Sequence, residues 1–212
     1  MTLTDLTNSA DQLLNTLSQY AWLSFGLALG LVIILLLDKL LKRKLSYFGI
    51  IPRRLIGLPG IIFSPFLHQD FTHLLFNLFP LIILTNLILM MGWLTYCWVS
   101  VLLILMSGVL TWALGRTALH IGASSLILGY WGFLLMSLTG GITITALLSV
   151  FICIYYFGNF IFSIIPDATS DGQVSWEGHL FGLISGIALG YEWFLDHGKL
   201  LIFLVNKIYS FL

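Results

Sequence analysis

Few side chains in this chain could do chemistry, and most of them sit in apolar surroundings. They are His73 and Asn77, Ser124 and Ser125, and His179, with His68 and His120 just outside. An ionisable or amide group is expensive in lipid, so each needs a reason. His73 and Asn77 are four residues apart and share one face of a helix. Gly122-Ala123-Ser124-Ser125 opens an apolar run that continues through Gly129 and Gly132. His179 opens another, followed by Gly182, Gly186 and Gly190. Such a small-residue stripe lets a neighbouring helix approach to backbone contact, and the spacing turns His179 toward the same neighbour. Serine, histidine and amide donors gathered at one depth are the components of a serine nucleophile, a general base and an oxyanion hole. No intramembrane aspartate or glutamate is at hand to orient the base, unless Glu177 does so, and a Ser–His dyad is the natural reading.

Each of these residues also has a plainer role. A lone serine hydrogen-bonds its own helix backbone, a lone histidine packs in a core, and an asparagine glues two helices together. Imidazoles at 68, 73, 120 and 179 would suit a metal or haem. No thiolate or carboxylate stands at a useful spacing, so neither metal nor cofactor is expected. His120 and His197 read as interfacial bystanders.

The elements that must hold these groups follow from composition. Of 212 residues, 59% are hydrophobic and 8% charged, with nine basic against nine acidic side chains. A soluble domain carries about 25% charged residues, so this chain cannot cover a water-facing surface. That excludes a disordered chain, a basic nucleic-acid-binding domain and an ordinary cytosolic enzyme. It leaves an all-α, multi-pass membrane protein. Residues 1–19 have the spacing of an amphipathic interfacial helix. Six spanning helices are expected over about 20–37, 72–91, 94–114, 123–138, 142–165 and 178–195. Together, residues 20–195 form one membrane domain, and residues 196–212 a C-terminal interfacial helix. Between the first two spans lies a basic stretch, 38–70, whose apolar pieces are too short to cross; it reads as a structured loop lying partly in the interface. Cys97 and Cys153 fall inside apolar runs and read as small hydrophobes. Trp22, Trp93, Trp98, Trp176 and Trp193 fall near span ends, as belt residues do.

Helix counting then tests the constellation. His73, Ser124 and His179 each open an even-numbered helix, and even-numbered helices all start on the same side of the membrane. The three side chains can therefore meet just below one face.

The segments His68-Gln-Asp-Phe-Thr-His73-Leu-Leu-Phe-Asn77, Gly122-Ala-Ser124-Ser125 and Gly178-His179-Leu-Phe-Gly182-Leu-Ile-Ser-Gly186 resemble, in order, the motifs of the rhomboid intramembrane serine proteases. The likeness covers about residues 49–190. It implies a six-helix rhomboid-like bundle, Ser124 as nucleophile and His179 as base. It also implies His73 and Asn77 as oxyanion donors, joined by the backbone N–H of Ser124, with His68 shaping the loop. The implied activity is serine endopeptidase action on single-pass transmembrane proteins, within or near their membrane helix, with lipids as the other partner and no nucleic acid. The implied setting is a bacterial inner membrane. Ser125 stands where the family usually has glycine, Leu128 where relatives often carry an aromatic, and the family's first-loop tryptophan–arginine pair is missing. A catalytically inactive, helix-binding relative is the alternative; such proteins typically lack the serine or the histidine, and this chain has both. Six of the nine basic residues lie in the first loop, which by the positive-inside rule would turn that face to the cytoplasm. The resemblance implies the opposite, an extracytoplasmic site, and that is the reading adopted.

Overall fold

The structure is a computed structural model that describes residues 3–140, 147, 150, 151, 155 and 175–194. Among these residues there are seven α-helices and no strand. They are α1 (Leu3–Gln19), α2 (Ala21–Leu40), α3 (Gly60–Phe63), α4 (Phe71–Leu89), α5 (Trp93–Leu114), α6 (Ser124–Leu135) and α7 (Trp176–Phe194). Three of them, α2, α4 and α5, are long and apolar enough to cross a membrane. Helices occupy five of the six expected spanning positions, with ends within a few residues of expectation. Of the expected fifth span only residues 147, 150, 151 and 155 are described, and they are helical; the C-terminal helix, His197 and Cys153 lie outside the described residues.

α6 is the centre of the bundle. It is only 12 residues long, about 18 Å, and continues as a 3-10 turn over Met136–Gly140. Ser124 and every residue from Leu126 to Leu134 are buried, which is why this segment is apolar on all sides. Its main partner is α7, and the seam between them is built from glycine. A Cβ on Gly132 would stand 2.7 Å from the carbonyl oxygen of Leu183, and one on Gly129 would stand 3.4 Å from that of Gly182. On the facing helix, Cβ atoms on Gly182 and Gly186 would overlap the carbonyl oxygens of Ser125 and Gly129. Lipid offers no hydrophobic drive between helices, so this close backbone contact supplies the dispersion that holds the pair. Peripheral α2 shows the opposite pattern, with Trp22, Phe25, Leu29, Ile33 and Leu36 exposed. It is tied to α4 by the Asn86 amide, which donates to Ser24 Oγ at 2.9 Å.

The first loop is folded, through 3-10 turns at Leu45–Phe48, Leu55–Gly57 and Ser64–Phe66 and the short α3. Asp38, buried at the end of α2, anchors one end. Its carboxylate accepts from the Ser46 hydroxyl at 2.6 Å and the Ser46 N–H at 3.1 Å, and pairs with Arg43 at 2.8 Å. Arg53 anchors the middle of the loop at the C-terminus of α5. Its guanidinium donates to the carbonyl of Gly115 at 2.6 Å and to Thr117 Oγ1 at 3.1 Å, satisfying carbonyl groups that a helix C-terminus leaves unpaired. Ile50 and His120 exchange both backbone hydrogen bonds, an isolated antiparallel bridge between this loop and the α5–α6 loop. The two loops thus form one structure around the openings of α4, α6 and α7.

Candidate active site

α4 starts where Asp70 caps it. The Asp70 carboxylate accepts from the His73 N–H at 2.8 Å, satisfying one of the N–H groups that a helix start leaves without a partner. This fixes His73 in the first turn. Its Nδ1 accepts a long 3.5 Å bond from the Gln69 N–H, which favours the tautomer with the proton on Nε2. One turn on, buried Asn77 donates one amide N–H to the His73 carbonyl at 3.0 Å, and the amide has a second N–H to offer. His68 packs edge-on against His73 with ring centroids 5.2 Å apart. It is buried, neither ring nitrogen has a hydrogen-bond partner, and Arg43 donates to its carbonyl at 3.0 Å. Burial first, and the neighbouring His73 second, push its pKa down to about 4.

The turn into α6 brings the backbone against these donors. Gly122 has φ +120°, a left-handed value that disfavours any side chain. A Cβ there would stand 2.8 Å from His73 Nε2 and 3.8 Å from Asn77 Nδ2. Its own N–H is taken by the Ser64 carbonyl at 2.9 Å. Ser124 opens α6, so its N–H is one of the four that have no intrahelical carbonyl to bond. Its Oγ lies 2.9 Å from His179 Nε2, and both residues are buried.

Ser124, His179 and His73 line a cavity of about 1010 Å³ whose walls include Asp70, Phe76, Arg116 and His120. Ser125 does not line it. The next residue along the helix turns toward α7, and Ser125 lines only an adjoining small cavity of about 20 Å³, which it shares with Ser124, Ser107 and Thr111. The large cavity and the contact to His179 Nε2 belong to Ser124, which distinguishes two adjacent hydroxyls that spacing alone leaves nearly equivalent. All four residues singled out in the sequence, His73, Asn77, Ser124 and His179, converge on this one region. Leu128 is fully buried in the core.

A family model for the Rhomboid domain matches residues 57–195. The chain belongs to the rhomboid family. Among similar proteins, the rhomboid chain is 33% identical over 170 residues to the "Uncharacterized protein Rv1337" of Mycobacterium tuberculosis, a match covering 76% of this chain and 70% of that protein. It is 32% identical over 169 residues to the "Uncharacterized protein ML1171" of Mycobacterium leprae, covering 76% of this chain and 66% of that protein. The rhomboid domain and the long apolar helices together mark an integral membrane protein.

One expectation is corrected. His120 is not an interfacial bystander: it is buried, its Nδ1 is hydrogen-bonded to Ser175 Oγ, and its Nε2 donates to the Arg116 carbonyl at 3.1 Å. Glu177, the carboxylate nearest the base in sequence, is engaged by Arg116, whose Nε lies 3.2 Å from its Oε1. Among the described residues no group of three or more histidine, cysteine, aspartate or glutamate side chains could hold a metal ion.

Proposed function

We propose that this rhomboid protein is an intramembrane serine endopeptidase that cleaves membrane-anchored proteins within or near their transmembrane helix, in a bacterial inner membrane. The observation that carries the reading is the 2.9 Å contact between Ser124 Oγ and His179 Nε2 at a cavity large enough for an unwound peptide segment. His179 takes the Ser124 proton as Oγ attacks the scissile carbonyl carbon, forming a tetrahedral oxyanion. The oxyanion accepts from His73 Nε2–H, the second Asn77 N–H and the Ser124 N–H; in soluble enzymes each good donor is worth roughly 3–4 kcal/mol. The protonated His179 then passes its proton to the leaving amine, which departs with the C-terminal fragment. Water entering through the cavity gives its proton to His179, attacks the acyl-serine and releases the N-terminal fragment as a carboxylate, with the proton returned to Ser124.

The reading includes a site that opens on the extracytoplasmic face. Two of the first loop's six basic residues support it, because Arg43 and Arg53 are engaged in folding that loop, which weakens their use as a topology signal. The test is cleavage in proteoliposomes. Wild type and Ser124→Ala are co-reconstituted with a panel of single-span proteins, and fragments are read by mass spectrometry. Cut sites in or beside the membrane helix, present with wild type and absent with Ser124→Ala, support the reading. Intact substrates that co-purify with the wild-type protein would favour a helix-binding protein without peptidase activity.

A further inference from the structure

The glycine seam between α6 and α7 sets how close the two helices lie, and the aromatic contacts across it, Phe133 on Trp193 and Phe194, sit at the far end of α7 from His179. A dyad with one residue on each helix tolerates displacements of only a few tenths of an ångström, so a directional contact at the near end bears on its register. The structure contains such a device 4 to 8 residues ahead of Ser124, on the loop that leads into α6.

Glu177 is buried in the first turn of α7, two residues before His179. Its Oε1 accepts from the Arg116 Nε–H at 3.2 Å and from the Arg116 backbone N–H at 3.3 Å. Four residues on, His120 Nε2 donates to the Arg116 carbonyl. Its Nδ1 meets Ser175 Oγ. Ser175 stands just ahead of α7, where its Oγ accepts from the Gly178 N–H at 3.3 Å and its carbonyl from the His179 N–H at 3.2 Å. The proton directions agree around the whole circuit. With Oγ accepting from Gly178, the hydroxyl proton points to His120 Nδ1, which leaves the imidazole proton on Nε2 for the Arg116 carbonyl. Burial lowers the His120 pKa, which keeps the ring in this neutral form. The circuit closes on the backbone of the very turn that carries His179. Glu177 is buried while the Arg116 side chain is 39% exposed, so the pair contributes little to stability; what it adds is direction.

We infer that Arg116, Glu177, His120 and Ser175 form a latch between the α5–α6 loop and the first turn of α7, and that they are positioning residues for the Ser124–His179 dyad. The inference rests on the protease reading above. Its test is the kinetics of labelling by a fluorophosphonate probe on the full chain in detergent, separating kinact from KI and from the fraction of molecules labelled. Glu177→Ala and Ser175→Ala should label every molecule with an unchanged KI and a kinact reduced about 100-fold, the effect of misplacing a catalytic group by about 1 Å. Glu177→Gln and Ser175→Thr, which keep an acceptor or a hydroxyl in place, should recover most of the rate. Wild-type kinact in the alanine variants overturns the latch. So does a smaller labelled fraction at wild-type kinact, the mark of a folding defect alone, and so does failure of the conservative variants to recover. A folded wild type that does not label overturns the protease reading itself, and the latch with it.

Discussion

Gly182→Ala tests the link between helix packing and chemistry. A Cβ on Gly182 would stand 2.9 Å from the Ser125 carbonyl carbon and 3.1 Å from its Cα, with the carbonyl oxygen nearer still. These are backbone atoms, so no rotamer change relieves the overlap. Ordinary contact begins at 3.4 Å, and because the carbonyl oxygen is the nearest atom, reaching it requires α7 to withdraw from α6 by about 1 Å. Ser124 adjoins Ser125 and His179 lies one turn before Gly182, so the dyad contact stretches from 2.9 Å toward about 4 Å, beyond hydrogen-bond range. A misplacement of about 1 Å costs about 100-fold in rate. Overpacking should also lower stability by about 1–3 kcal/mol. Labelling kinetics with a fluorophosphonate and thermal melting in detergent read the two effects separately. Gly30→Ala is the control: nothing lies within 4 Å of its Cβ position, so it should leave the rate alone and gain up to about 1 kcal/mol of helix propensity. A Gly182→Ala protein with both wild-type labelling and wild-type melting would refute the backbone-contact seam.

Three further outcomes follow from the same geometry. Asn77→Ala should lower cleavage by about 100-fold yet keep it above the Ser124→Ala background, because His73 and a backbone N–H remain as donors; complete loss in a normally folded protein contradicts that sharing. Gly122→Ala should inactivate the protein and lower its melting temperature, since the left-handed φ alone costs about 1–3 kcal/mol and the new Cβ displaces His73 Nε2. For His68, with a folded pKa of about 4 against about 6.5 unfolded, the unfolded chain binds more protons below pH 6.5. Stability should hold above that pH and decline toward pH 4 by on the order of 3 kcal/mol; His68→Phe should flatten this slope in melting curves taken across pH 4–7.

The sequence and the structure agree where the signal is local. Apolar runs punctuated by Met91-Gly92, Gly115 and Gly122 mark α4, α5 and α6 to within a few residues, because glycine and charge interrupt a helix wherever they fall. His73 and Asn77 are legible from their i, i+4 spacing. Ser124 and His179 are legible from helix parity, which puts the starts of alternate helices on one face. The residues that sequence reading misjudges or misses depend on partners that no helical or strand period connects. His120 looks like a bystander because Ser175 is 55 positions away, and Arg116 and Glu177 are 61 apart. Asp38 stands beside Lys39 in sequence, yet folds inward onto Ser46. None of these pairings leaves a periodic trace. Spacing alone separates Ser124 from Ser125 only weakly, and it is the resemblance that favours Ser124; the physical difference is a rotation of about 100° per residue about α6, which shows once α7 is in place.

The central claim is that Ser124 is a nucleophile activated by His179, and fluorophosphonate labelling of the purified protein tests it most directly. Wild type, Ser124→Ala, Ser125→Ala and His179→Ala are compared in one experiment. The account predicts a labelled serine in wild type and Ser125→Ala, and none in Ser124→Ala or His179→Ala. Equal labelling of all four proteins, or no labelling of a folded wild type, would contradict it.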